Sequence, residues 1–233
     1  MDDIKKNKFF LLIGLKQIRF TALNENNKIL LDKKSLINDS TLQENFDSLE
    51  NFLDLNIFSL ENKLNYYINE INLIINYDDF LTVDISTIHN YNNNLVQSNY
   101  NSNFLVNIKD NVIRDKNEYD LTHMLINKFI ISGKEYFSIP SNNNKNNILL
   151  EIRFILLKKT ILRRLKFLFS KYEILIKKIS SYKYVNDFKN AETDNIFNLA
   201  DKLSNGYNQK EIFFIDKSPK NIGFFEKFFN YFN

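Results

Sequence analysis

The chain opens on two short apolar-rich stretches, residues 8–13 and 17–23, separated at Gly14. Their length and β-branched content predict strands, and 28–32 reads as a third after the NENN turn. Together they predict an antiparallel meander. Residues 33–58 show weak periodicity and read as loop with a short helix. A helix is predicted over 59–75: Ser59 stands at its N-cap, Glu61 in its first turn, and Leu60, Leu64, Tyr67, Ile68, Ile71, Ile74 and Ile75 recur at 3–4 spacing. Ile68 and Ile71 are expected to face a sheet containing Val83 and Ile85. Asp78–Asp79 close that helix, and FLTVDIS (80–86) reads as a strand. The Asn-rich segment 89–103 looks like a hairpin loop leading to a strand at 104–108. Two β-rich stretches follow, 121–131 and 147–157, joined by a turn-prone segment with Gly133 and Pro140.

Thr160 is expected to cap a helix over 161–172, with Ile161, Leu165, Leu168 and Tyr172 in register and Arg163, Arg164, Lys166 and Lys171 on its other faces. A strand at 173–180 follows. Residues 186–220 are polar, with a short helix at 195–203 stopped by Gly206. The last apolar pattern is in KSPKNIGFFEKFFNYFN. There Phe224, Phe228 and Phe232 recur at i+4 with Phe225 and Phe229 beside them, predicting a one-faced aromatic helix.

Composition narrows the classes. The 233 residues are 44% apolar, enough for a core. Asparagine reaches 38 residues, and tracts such as 92–94 read as loop filler. With no cysteine there is no disulfide, thiolate metal site or Cys nucleophile. The apolar run at the N-terminus is too short for a secretory signal, and no window is long and apolar enough to predict a membrane-spanning helix. Net charge is only +3, but it is unevenly spread. Residues 39–84 hold ten acids and one base, Lys63, whereas 151–183 hold ten bases and two acids, Glu151 and Glu173. Such blocks either attract each other within the fold or offer a basic patch to acidic lipid or an acidic partner.

Several chemistries lack their residues. A phosphate-cradling loop needs clustered glycines, and Gly14, Gly133, Gly206 and Gly223 are isolated. His89 and His123 stand far apart without a ligand pattern, so no metal site is expected. There is no nucleophile elbow, and Asp78–Asp79 reads as a helix stop, not an acid/base pair. The strands are too aliphatic for RNA stacking, so no nucleic acid is expected as a partner.

From His123 onward, THMLINKFIISGKEYFSIP, then LLEIRFILL, a helix, and EILIKKISSYKY are similar to the inserted small domain of FtsA, a bacterial actin-like family that anchors the division ring to the membrane. His123, Phe129, Gly133, Pro140 and Glu151 fall in the family's order, although Ile126 replaces its Pro and Ser132 the Asp before its Gly. The opening LLIGLKQIRFTAL resembles the family's first strand, phosphate loop and second strand. The likeness covers roughly residues 8–188. It implies an α+β fold: an insert of the SHS2 type set into an actin-like, ribonuclease-H-like half. The bounds are 1–34 and 174–190 for a remnant of that half, 35–173 for the insert, 191–220 for a linker and 221–233 for an amphipathic anchor helix.

The departures carry the functional expectation. In the family an Asp two residues before the loop glycine, and hydroxyls after it, meet phosphates and metal. Here those places are Leu12, Leu15 and Lys16 around Gly14, and leucine cannot hold hydrated Mg²⁺. The family's ATP site is expected to be lost, leaving neither cofactor nor catalytic residue. The expected function is a non-enzymatic peripheral adaptor of cell division on the cytoplasmic face of the inner membrane, at the septum, binding other division proteins or copies of itself. Phe224, Phe225, Phe228, Phe229 and Phe232, with Lys217, Lys220 and Lys227, would meet the anionic lipid. A general membrane-surface or protein-binding module unrelated to division is the alternative.

Overall fold

The computed structural model describes residues 7–39, 41–90, 102–137, 147–190 and 195–214. Strands β1 (Lys8–Gly14), β2 (Gln17–Leu23) and β3 (Ile29–Leu36) form the expected antiparallel meander. The next element differs from the sequence reading. Where loop with only a short helix was expected, the 23-residue helix α1 (Leu42–Leu64) runs. Thr41 caps it: its hydroxyl accepts from the Glu44 amide, and the Glu44 carboxylate accepts from the Thr41 amide. Asn65, at φ 49°, ends it in the left-handed region.

The helix expected over 59–75 is therefore two elements. Its first part is the end of α1, with Ser59 in the interior, and its second part is strand β4 (Glu70–Asn76), parallel to β1. An isoleucine-rich run buried on both faces satisfies helical spacing as well as a strand does, and β-branched side chains favour the strand. Nor do Ile68 and Ile71 face Val83 and Ile85. They lie in the core beneath α1, whereas Val83 and Ile85 pack on the core of a second sheet.

That second sheet is built from β5 (Phe80–Asn90), helix α2 (Ser102–Asp115), β6 (Tyr119–Ile131), β7 (Lys134–Tyr136) and β8 (Asn147–Lys158). Its strand order is β5-β8-β6-β7. The strand expected at 104–108 lies inside α2, where Phe104, Leu105, Ile108 and Val112 face the sheet at helical spacing. The β6–β7 hairpin turns through Ser132 and Gly133 at φ 51° and 77°, the double left-handed conformation that two-residue hairpins require. Helix α3 (Lys159–Ser170) begins without a side-chain cap at Lys158, so Thr160 does not cap it. It leads to β9 (Leu175–Ser181), parallel to β4. Short helix α4 (Tyr182–Asn186) and α5 (Ile196–Ser204) complete the described chain.

The first sheet has the order β3-β2-β1-β4-β9. A three-strand meander followed by two parallel strands is the ribonuclease-H-like arrangement that the resemblance implies. The second sheet, in strand–helix–strand–strand–strand order, is inserted between β4 and α3. The α+β fold implied by the resemblance is thus present. Of the stretch 35–173, α1 and β4 pack in the first sheet, and residues 80–158 supply all strands of the second. Residues 221–233, the expected anchor helix, lie outside the described residues.

The two charge blocks meet inside this fold. Asp47, Glu50, Glu70, Asp79 and Asp84 of the acidic stretch pair with Arg164, Lys171, Lys177, Lys158 and Arg153 of the basic one.

Candidate functional site

At the end of β1 stand the residues expected to be a degenerate phosphate loop. Leu12 is 3% exposed and packs in the core that β1 shares with α4 and α5. Gly14 pairs with Gln17, so Leu15 and Lys16 form a tight turn. The turn's own carbonyls are occupied: Lys16 O accepts from the Ile37 amide and Leu15 O from the Asp39 amide, each at 3.1 Å. Gly14 O accepts from Asn45 Nδ2 at 2.9 Å. The same amide donates to Asp39 Oδ2, Ser48 Oγ donates to Asp39 Oδ1, and the Tyr77 hydroxyl donates to Asn45 Oδ1. Burial, aided by the charges of Asp39 and Asp79, pushes the Tyr77 hydroxyl far up, which keeps it a donor. Among the described residues those with positive φ are Asn27, Asn65, Ser132, Gly133, Glu173 and Gly206, none of them in this turn. Successive amides therefore do not converge into an anion-binding nest here. A Cβ on Gly14 would lie 3.3 Å from Asn76 Cβ, so close packing of β1 on β4 accounts for the glycine.

A second polar cluster was not anticipated from the sequence. His123 of β6 is 2% exposed, and its Nδ1 lies 2.8 Å from Glu211 Oε1. Its Nε2 accepts from the Ser181 amide at 3.3 Å. A nitrogen that accepts from an amide carries no proton, so the imidazole is neutral and Nδ1 donates to the carboxylate. Burial agrees, pulling the His123 pKa down against the opposing pull of Glu211. The other oxygen of Glu211 accepts from the Tyr184 hydroxyl at 2.7 Å, and Asn208 Nδ2 donates to that hydroxyl at 3.0 Å. Burial raises the Glu211 pKa, but the bonds from His123 and Tyr184, with the charge of Lys178 at 4.0 Å, hold it below the usual value. Every polar atom of the imidazole and carboxylate is thus engaged and shielded. The cluster does the work of a clamp: it ties β6, the end of β9, α4 and the segment after α5 together. The Ile126 amide donates to Lys210 O and the Ile212 amide to Met124 O, fastening that segment along β6. His123 and Glu211 are 88 residues apart, a separation that gives no local spacing signal.

Beside the clamp a groove of about 290 Å³ opens between β6, β9 and α3. Lys166, Lys177 and Lys178 line it, with Asp120 and Thr122 opposite. Lys177 pairs with Glu70 at 2.7 Å, and Lys178 lies over the Phe213 ring at 4.3 Å. β9 is an edge strand, so the groove combines ammonium groups with backbone at a sheet edge. The expected membrane-binding residues, Phe224, Phe225, Phe228, Phe229 and Phe232 with Lys217, Lys220 and Lys227, lie outside the described residues, and no described helix is long and apolar enough to cross a membrane.

No protein-family model matches the sequence, and no curated protein matches it. Solved structures that resemble the fold at low identity include the following two. The cytoplasmic domain of EpsL, an inner membrane component of the type II secretion system of Vibrio cholerae, aligns over 80% of this chain and 61% of its own, with 9% identity and a TM-score of 0.39. A PilM–PilN type IV pilus biogenesis complex aligns over 77% of this chain and 48% of its own, with 6% identity and a TM-score of 0.47. The chain therefore spans under two thirds of the length of either.

Proposed function

We propose that this chain is a non-enzymatic adaptor of actin-like descent that joins protein partners to a membrane surface. The closed end of β1 carries the reading. Where the resembled family opens a loop onto phosphates, this chain buries Leu12 and engages the carbonyls of Gly14, Leu15 and Lys16 with its own donors. A fold relieved of its nucleotide keeps its surfaces, and the groove beside β9 suits an extended segment bearing carboxylates. Cell division, through likeness to FtsA, is the setting this reading assigns, with the chain at the septum and the Phe-rich tail on anionic lipid.

Calorimetry with ATP and magnesium tests the loss of the site. No binding tighter than about 100 μM, roughly −5.5 kcal/mol, is expected, and tighter magnesium-dependent binding would overturn the reading. Co-sedimentation with anionic vesicles tests the anchor: it should weaken in high salt and vanish on removal of 221–233 or with Phe228→Asp, the rest staying folded. If removal unfolds the protein, the tail belongs to the core. A fluorescent fusion separates the settings. Septal enrichment supports division, whereas even membrane labelling favours a general membrane-surface module.

A further inference from the structure

β3 is the other edge of the first sheet, and its solvent side is not blank. Leu36 is 76% exposed, and Ile29 and Leu30 are each 49% exposed. An open strand of eight residues with apolar side chains is a template for pairing with another strand. The register against β2 shows which backbone groups turn away from it. The Ile37 amide donates to Lys16 O, and β2 and β3 pair in the same register from Gln17–Leu36 to Ala22–Leu31. In an antiparallel ladder bonded positions alternate, so residues 35, 33 and 31 turn their backbone groups to β2 and residues 36, 34 and 32 turn theirs outward. Between Ala22 and Leu23 the register slips, which leaves Leu30 as a bulge.

The geometry points to a homodimer in which β3 pairs antiparallel with β3 of a second copy about a twofold axis at Lys33. The axis stands perpendicular to the sheet, so opposed residues must share a face, which requires both to be even-numbered or both odd. Centred on Lys33, the pairing sets Asp32 opposite the partner's Lys34 twice, both outward-bonding positions. Leu36 meets the Leu30 bulge of the other copy at each end. The charges suit this register. Asp32 is fixed by Arg19 at 2.8 Å and Thr21 at 2.7 Å, so the carboxylate is held in place before any partner arrives. Lys34 is opposite Arg19 in its own sheet, a like-charged neighbour; it feels the charge of its own Asp32 along the strand, and the dimer would set a second carboxylate directly opposite it. Centring on Asp32 or Lys34 instead opposes like charges without these pairs. One contact is unfavourable: the two Lys33 side chains face each other across the axis on the α1 side. Lysines on an edge strand also guard against pairing, and that opposing role makes the test decisive.

The measurement is sedimentation of the full chain over a concentration series. A reversible monomer–dimer equilibrium is expected. Lys34→Asp turns two attractive cross-strand pairs repulsive and should weaken the dimer about tenfold. Lys33→Thr removes the like-charged contact and should tighten it about threefold, a gain that misfolding cannot imitate. A monomer at every concentration up to about 100 μM overturns the proposal and leaves Lys33 and Lys34 as guards of the edge. A dimer that ignores both substitutions overturns it too, since another surface then holds the copies together. Neither outcome touches the adaptor reading, which rests on the end of β1.

Discussion

The two sheets solve burial differently. In β1 six of seven residues are buried, because α1 and α3 cover one face of the sheet while α4 and α5 cover the other. In β8, as far as Phe154, buried positions alternate with more exposed ones. There α2 covers one face, and the other carries cross-strand charge pairs, Asp84 with Arg153 and Lys128 with Glu151. A strand buried on both faces keeps no solvent side to spend on function or polarity. The inserted sheet keeps one, and it joins the first sheet through the His123–Glu211 clamp and the turn from β8 into α3. Stability should therefore concentrate in the first sheet, adaptability in the second.

The largest effect that tests this contrast is at Ile71, which is 0% exposed in β4. Ile71→Ala should cost about 2–5 kcal/mol, read from the urea midpoint. Ile85→Ala, in the half-covered β5, should cost less than half as much. Equal losses would erase the contrast, and a change under about 0.5 kcal/mol at Ile71 would mean that β4 is not a core strand.

The sequence made the contrast legible in part. A continuous apolar run marked β1, an apolar-rich stretch marked β2, and the paired stretches 121–131 and 147–157 marked β6 and β8. The same continuity hid β4, because a run buried on both faces has no period to distinguish a strand from a helix. α1 was hidden for another reason. Its buried Phe46, Leu49, Leu53 and Leu60 are diluted by polar residues, leaving the Thr41–Glu44 capping box as its clearest local mark. At the end of β1, Leu12, Leu15 and Lys16 set the expectation that the family's phosphate chemistry is lost. They could not tell that Asn45 and Asp39 would close the turn, since those residues arrive on α1 and the segment before it. The clamp was illegible because its members come together only through the tertiary fold.

The clamp supplies the intermediate effect. His123 has its pKa pulled down by burial from the ordinary 6.5 and is surrounded by Glu211, Tyr184, the Ser181 amide and, beyond Glu211, Lys178. Below that ordinary value the unfolded chain binds a proton that the folded chain refuses. Stability is then complete above about pH 6.5 and falls as pH drops, with a slope approaching about 1.4 kcal/mol per pH unit. Glu211 adds its own loss only below the usual carboxylate range, because its folded pKa is lowered. His123→Gln should abolish the slope between pH 6.5 and 5 while leaving the acid limb below it. A slope that survives the substitution would place the titrating group elsewhere.

The smallest effect lies on the open face of the second sheet. Asp84 and Arg153 are directly opposed across β5 and β8 and bond through both carboxylate oxygens at 2.8 Å. The hydrogen bond from Arg153 holds Asp84 below the usual carboxylate value, so whatever the pair contributes is present above pH 3.8 and lost as pH falls below it. Yet the side chains are 55% and 43% exposed, so water and salt screen them. A double-mutant cycle with Asp84→Ala and Arg153→Ala should give a coupling of about 0.2–1 kcal/mol, shrinking toward zero in about 1 M salt. The two-oxygen geometry argues for the upper part of that range at low salt, because a planar guanidinium loses less freedom in holding it than a lysine would. A coupling above about 2 kcal/mol that ignores salt would mean that this face is covered in solution, and the second sheet would then be buried on both sides like the first.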